Sequence, residues 1–216
     1  MNNFQYVTRK QLSPVKKELI QIIKSVQNEV RSEFTFQYTW VGSTSYNMVT
    51  YNVGTNIGYD FDIDIYVNDK GKFSAKEIRT IIRKAIDRIA PRFGYDYAED
   101  SKSVITIKFK DRQNSRIIHN CDFAIVKADD SSNRQKYVYL NKQQNSYLWQ
   151  EQPKEFHLLT KKADWIRNNG YWNEVRKLYL DKKNLNNDIH KHSRSIYAET
   201  INETCQKYNC GLVRAK

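Results

Sequence analysis

The chain is poor in residues that break or staple a fold. Among its 216 residues are 3 Pro, 7 Gly, 3 Cys and 2 Met. There are no internal repeats and no low-complexity blocks. The cysteines, Cys121, Cys205 and Cys210, are odd in number, and their spacing fits neither a zinc knuckle nor a disulfide framework. They are expected to be free thiols in a reducing cytoplasm. No apolar run approaches the roughly 18 residues of a membrane-spanning helix. The first residues lack the charged-then-apolar pattern of a secretory signal. These absences lead to the expectation of a soluble, cytoplasmic protein.

What is abundant is positive charge and tyrosine. Thirty-six Lys and Arg against 24 Asp and Glu give a formal charge of +12, and there are 15 Tyr. This balance suits a polyanionic partner such as a nucleotide or an oligonucleotide, and equally a solvated basic surface. A hydrophobic content of 39% supports a lean core. The length fits one large domain, or one domain with a small appendage.

Apolar spacing predicts the elements. Residues 1–12 are polar and expected to be loosely held. Ser13 and Pro14 read as the start of a helix carrying Val15, Leu19, Ile22, Val26 and Val30. Phe34 to Val41 reads as a strand, residues 44–58 as an Asn/Gly loop, and Tyr59 to Val67 as a second strand. Ser74 and Glu77 form a capping box that opens a helix ended by Pro91. Val104 to Phe109 alternates as a strand. Residues 116–118 and 121–126 read as one further strand broken by a kink. A polar loop over 128–136 and a short strand over 137–140 follow. Beyond residue 150 the pattern is helical. A helix opened by Pro153 carries Phe156, Leu159, Ala163 and Ile166, and another carries Trp172, Val175, Leu178 and Tyr179. A third runs from about Asp188 to Tyr208, with Ile189, Ile196, Tyr197 and Ile201. The expected class is α+β, a mixed sheet flanked by helices over 1–149 with a C-terminal helical section over 150–216.

Three stretches carry chemistry. Trp40-Val41-Gly42-Ser43-Thr44 holds a Gly-Ser turn. Tyr59 to Val67 places Asp60, Asp62 and Asp64 at alternate positions, so all three share one face while Phe61, Ile63 and Ile65 face the core. Asp122 stands alone on the apolar run Cys121 to Val126. Like charges in a row repel, by up to about 1 kcal/mol per pair, and a cation removes that cost. Oxygen donors without His or Cys indicate Mg²⁺ or Mn²⁺. Alternate carboxylates lie about 6.6 Å apart along a strand. A neighbouring pair can therefore bridge two ions about 4 Å apart, and the outer pair Asp60 and Asp64 cannot. An exposed edge-strand face explains the ladder equally well by itself. The Gly-Ser turn offers backbone N–H groups and a hydroxyl to phosphate, and Asp122 would be a base or a third ligand.

Gly-Ser, then Asp-hydrophobic-Asp, then a lone strand Asp resembles the nucleotidyltransferase superfamily of DNA polymerase beta. Within it the chain is most similar to the branch of cyclic GMP-AMP synthase, oligoadenylate synthase and the bacterial cyclic-oligonucleotide synthases. The likeness covers residues 40–67 and 119–127 well and the helical end weakly. It implies that Asp62 and Asp64 are the metal pair and Asp122 the third carboxylate, these three catalytic and metal-binding, with Asp60 a flanking residue. It implies that Gly42 and Ser43 hold the nucleotide phosphates. Relatives often carry a Lys ahead of a Trp on the first helix of the second lobe. Lys161-Lys162-Ala163-Asp164-Trp165 resembles this, with Lys162 preferred over Lys161 for the donor triphosphate. His190 and His192 read as surface residues.

The implied activity is metal-dependent transfer of a nucleoside monophosphate from an NTP to a nucleotide hydroxyl. The product would be a cyclic or linear oligonucleotide of the signalling or antiviral-defence type, with Mg²⁺ or Mn²⁺ as cofactor. A nucleic-acid 3′ end, a small molecule or a protein hydroxyl are alternative acceptors. A catalytically silent nucleotide- or RNA-binding module is the alternative of another class.

Overall fold

The computed structural model describes residues 2–129, 134–152, 155–188 and 190–212. The elements in order are β1 (Phe4–Tyr6), α1 (Arg9–Val30), β2 (Thr35–Val41), α2 (Gly42–Ser45), β3 (Thr50–Asn52) and β4 (Tyr59–Asn68). Then come α3 (Ala75–Ile89) with a 3-10 turn over Ala90–Phe93, β5 (Glu99–Asp100), β6 (Val104–Asp111) and β7 (Arg116–Asp129). β8 (Arg134–Asn141), β9 (Ser146–Glu151), α4 (Glu155–Asn168), α5 (Trp172–Leu185) and α6 (Ser193–Lys207) complete the chain. They form two compact units. One comprises Val7–Tyr51 and Thr55–Gln152, the other Met1–Tyr6, Asn52–Gly54 and Pro153–Lys216.

The first unit is built on a seven-stranded sheet of order β2-β4-β7-β6-β5, with β8 on β7 and β9 on β8. Every pairing is antiparallel except β4 with β7, which is parallel. Alternation sends Phe61, Ile63 and Ile65 of β4, Cys121, Phe123 and Ile125 of β7, and Ile105 and Ile107 of β6 into one core. Leu19, Ile22, Ile23 and Val26 of α1 and Ile78, Ile82, Ile86 and Ile89 of α3 join the same core. One sheet face is thereby closed, and the polar residues of these strands stand on the other.

Capping fixes the two helices. Thr8, not Ser13, opens α1. Gln11 N donates to Thr8 Oγ1 at 3.3 Å and Thr8 N donates to Gln11 Oε1 at 3.0 Å. This reciprocal box outweighs the start signal of Pro14, which lies inside the helix. In α3 the expected box is present: Ser74 N donates to Glu77 Oε2 at 2.8 Å and Glu77 N to Ser74 Oγ at 3.3 Å. The α-helix ends at Ile89, ahead of Pro91 as expected, and the chain winds on past Pro91. That proline lies within the 3-10 turn, and Gly94 at φ +86° ends that turn. Arg79 of α3 is fully buried. It donates to Asp100 Oδ1 at 2.7 and 2.5 Å and to the carbonyls of Ser101 and Val104 at 2.8 and 2.7 Å.

Strand expectations need adjusting. β7 is one strand from Arg116 to Asp129, and the expected kink is a bulge at Ile118, since Phe109 pairs with His119 and Lys110 with Ile117. The expected polar loop over 128–136 is largely strand, because β7 continues to Asp129 and β8 begins at Arg134. The loop over 44–58 includes β3 and begins inside α2. Residues 2–6 are not loose. In their own unit, Phe4 N donates to Asn184 Oδ1 at 2.6 Å and Tyr6 Oη to the Arg176 carbonyl at 2.6 Å.

In the helical unit Ala163, Ile166, Val175, Tyr179, Ile196 and Ile201 are buried. The third helix begins at Ser193 rather than Asp188, since Asp188 sits in a turn with Asn186 Oδ1 accepting its N–H at 3.3 Å. Pro153 and Ile189, and the side chain of Phe156, lie outside the described residues. The cysteine expectation holds for buried Cys121 and fails for the other two, since Cys205 and Cys210 form a disulfide. Beyond α6 the chain turns back through Asn209 at φ +51°, and Cys210 N donates to the Cys205 carbonyl at 3.0 Å. That turn brings the two Cα atoms to 5.1 Å, a separation that spacing alone does not reveal. No helix among the described residues is long and apolar enough to cross a membrane.

Candidate active site

A single row of residues crosses the polar face of the sheet. Val41 on β2 pairs with Asp62 on β4, Asp62 with Asp122 on β7, and Asp122 with Thr106 on β6. Asp60 and Asp64 flank Asp62 at the next same-face positions, opposite Asn120 and Ala124. The parallel pairing of β4 and β7 brings together carboxylates 60 residues apart in the chain.

The Gly-Ser turn meets this row because β2 ends on it. Val41 is the register partner of Asp62, so Gly42 follows directly beside that aspartate. Gly42 has φ +59°, and a Cβ there would lie 2.7 Å from Asp62 Oδ2. Only glycine satisfies both conditions. Gly42–Ser45 forms one helical turn. Thr44 is buried beneath it and accepts the Asp62 N–H on Oγ1 at 3.3 Å, while its carbonyl accepts from Lys16 Nζ at 3.2 Å. A second glycine is forced on the other side. A Cβ on Gly58 would lie 2.3 Å from the Ile118 carbonyl oxygen, so only glycine lets β4 start against β7.

Burial deepens along β4. Asp60 is exposed, Asp62 half-buried, and Asp64 only 8% exposed. Burial, helped by the negative charges of Asp122, Asp60 and Asp64, pushes the Asp62 carboxyl up to about 7. Burial also raises Asp122, against the opposing Thr106 hydrogen bond. Asp122, Asp64 and Asp60 each have a neutral donor. Thr106 Oγ1 donates to Asp122 Oδ1 at 2.5 Å, Gln135 Nε2 to Asp64 Oδ2 at 3.0 Å, and Asn120 Nδ2 to Asp60 Oδ1 at 2.8 Å. Lys108, next on the β6 face, is held by Glu99 at 2.6 Å.

The donor set suits a hard divalent cation: carboxylate oxygens stand in one row, where burial and then the neighbouring negative charges push the Asp62 carboxyl up. Among the described residues, no three His, Cys, Asp or Glu groups converge as a ready-made cage. Asp60, Asp64 and Asp122 each accept a hydrogen bond from a neutral side chain of their own.

The structure thus gathers Gly42, Asp62, Asp64 and Asp122 in one unit, with Ser43 on the turn beside them. Lys162 belongs to the other unit. There its Nζ donates to Asn202 Oδ1 at 2.8 Å, in a cleft of about 660 Å³ also lined by Cys205, Gln206, Asn209 and Cys210. Sequence reasoning passed over Thr44, Thr106, Asn120 and Gln135. Thr106 was within reach, being the polar residue between core-facing Ile105 and Ile107. Asn120 was too, two positions before Asp122. Gln135 carries no local signal.

No family model and no curated protein sequence matches the chain. Its structure is similar to solved structures of DncV from Vibrio cholerae. The GTP-bound form matches with a TM-score of 0.59 at 15% identity, over 91% of this chain and 52% of that one. The complex of this cyclic AMP-GMP synthase with the linear intermediate 5′ pppA(3′,5′)pG matches with a TM-score of 0.58 at 14% identity, over 86% and 52%. The 3′-deoxy GTP form matches with a TM-score of 0.59 at 16% identity, over 86% and 50%. The chain spans about half the length of these relatives. A mixed sheet with flanking helices and C-terminal helices is therefore the α+β fold that DncV builds.

Proposed function

We propose that the chain is a metal-dependent nucleotidyltransferase that moves a nucleoside monophosphate from an NTP to a nucleotide hydroxyl. Its product is a cyclic or linear oligonucleotide of the signalling or antiviral-defence type. The observation that supports this most is the adjacency of Asp62 and Asp122 on parallel strands, with the Gly42 turn pressed against Asp62. DncV, whose fold the chain shares, has been solved with GTP and with a linear dinucleotide intermediate.

In this reading Asp62, Asp64 and Asp122 are the ligands of Mg²⁺ or Mn²⁺. When bound, the metal supplies charge neutralisation at the transferring phosphate and at the leaving pyrophosphate. Gly42 and Ser43 hold the donor phosphates through backbone N–H groups and the hydroxyl, and Lys162 provides a cation for the triphosphate. Asp122 takes the proton of the attacking hydroxyl onto a carboxylate oxygen. That hydroxyl oxygen bonds to the α-phosphorus, the bond from the α-phosphorus to the bridging oxygen breaks, and pyrophosphate leaves.

Incubation with labelled NTPs and Mg²⁺ or Mn²⁺ tests the proposal. Pyrophosphate release and a product of oligonucleotide mass are expected. Absence of release, with and without candidate acceptors, would overturn it. The net charge of +12 favours a nucleic-acid 3′ end over a cationic small molecule as the alternative acceptor. A DNA or RNA primer lengthened in the same reaction would identify that case.

A further inference from the structure

Two ways of holding a buried carboxylate occur in the same sheet. Asp100, 13% exposed, is neutralised by the buried guanidinium of Arg79 and also accepts from Tyr147 Oη at 2.7 Å. That is a structural ion pair, with charge answered by charge. Asp122 and Asp64 each accept from a neutral group, the Thr106 hydroxyl at 2.5 Å and the Gln135 carboxamide at 3.0 Å. A neutral donor fixes the plane of a carboxylate without cancelling its charge. It occupies one oxygen, whereas an ionised carboxylate offers two oxygens and about four lone-pair sites.

Both donors are themselves held in place. Thr106 is the direct register partner of Asp122, so the pairing of β6 with β7 sets its hydroxyl against that carboxylate. Gln135 Nε2 also reaches Tyr66 Oη at 3.2 Å, two residues beyond Asp64 on β4. Its backbone is anchored as well, by pairing with Ala128 and by the Gln152 N–H donating to its carbonyl at 3.0 Å. β6 and β8 follow one another along the edge of β7 opposite β4, and each brings one donor to the end of a carboxylate, β6 to Asp122 on β7 and β8 to Asp64 on β4.

We propose that Thr106 and Gln135 are positioning residues that orient Asp122 and Asp64 for a divalent cation. The inference rests on the metal-dependent reading of this site. Such partners act through the ligands and touch neither substrate nor ion. Losing one typically weakens metal affinity by about 10–100-fold.

The test is Mn²⁺ titration of the full chain, with free Mn²⁺ followed by electron paramagnetic resonance and melting temperature recorded alongside. Thr106→Val keeps the side-chain shape and Gln135→Met keeps its length, and each removes the donor. Both are expected to bind Mn²⁺ about 10–100-fold more weakly, with melting temperatures close to that of the unsubstituted chain. Thr106→Ser restores the hydroxyl and is expected to recover affinity to within about threefold. Unchanged Mn²⁺ affinity in both Thr106→Val and Gln135→Met would overturn the proposal and leave the functional reading standing. So would equal losses of affinity in Thr106→Val and Thr106→Ser, since the hydroxyl would then not be the cause. No Mn²⁺ binding by the unsubstituted chain would instead overturn the functional reading, and this inference with it.

Discussion

Gly42 and Asp62 occupy one another's space: the position of a Cβ on Gly42 lies 2.7 Å from Asp62 Oδ2. The turn and the acidic strand are therefore one constellation, joined where β2 ends and β4 passes. A side chain at Gly42 would displace the carboxylate as well as strain the backbone at φ +59°. Gly42→Ala is expected to cost about 1–2 kcal/mol in urea unfolding from the left-handed backbone alone. It should cost more in turnover, about 100-fold or greater, because a small misplacement at reacting groups is amplified. Loss of stability without loss of pyrophosphate release would contradict this arrangement.

The three aspartates of β4 are not equivalent. Asp60 is exposed and held by Asn120, whereas Asp62 faces Asp122 and Asp64 is nearly buried. Asp62→Asn and Asp64→Asn are each expected to lower the initial rate by about 1,000-fold or more, as expected where electrostatic stabilisation is lost. Asp60→Asn should retain most of it. Equal loss in all three would refute the choice of pair.

The Asp62 carboxyl, pushed up to about 7 by burial and its acidic neighbours, links stability to pH. The folded chain keeps a proton that the unfolded chain releases near pH 4, so this group lowers stability as pH rises from about 4 to about 7. The full effect amounts to at most about 4 kcal/mol. Burial pushes His119 the other way, down to about 4, so its contribution is lost as pH falls from about 6.5 towards 4. The two oppose each other, and the comparison with Asp62→Asn isolates the first. Without metal, that variant should melt several degrees above the unsubstituted chain at about pH 8, and close to it at about pH 4. Thermal unfolding in chelator across this range checks the sign. Mg²⁺ should stabilise the unsubstituted chain more than the variant.

Arg79 ties α3 to the start of the β5–β6 hairpin through Asp100, Ser101 and Val104. Arg79→Met leaves Asp100 with the longer contact to half-exposed Arg83 at 3.7 Å and frees two carbonyls. It is expected to destabilise the chain by about 3–5 kcal/mol in urea unfolding. Under folding conditions at low temperature the Mn²⁺ affinity should be unaffected, because Arg79 lies on the core side, away from the carboxylate row.

Much of this was legible in the order of residues. Asp60, Asp62 and Asp64 alternate with Phe61, Ile63 and Ile65, and a strand's period of two places them on opposite faces wherever the strand sits. The Ser74–Glu77 box is equally local, since each residue satisfies the other's backbone donor three positions away. The start of α1 was misread for the same reason. Ser13-Pro14 and Thr8–Gln11 are both valid start signals, and the reciprocal hydrogen bonds of the second prevailed. By itself the sequence determined which face of β4 is acidic, because side-chain alternation is a property of the strand alone. The tertiary structure decided that Asp62 stands beside Asp122, that Thr106 and Gln135 reach the carboxylates, and that Cys205 meets Cys210. Those relations depend on strand register and chain reversal. Register is set by burying one sheet face against α1 and α3, a condition satisfied by the whole core and written in no short stretch.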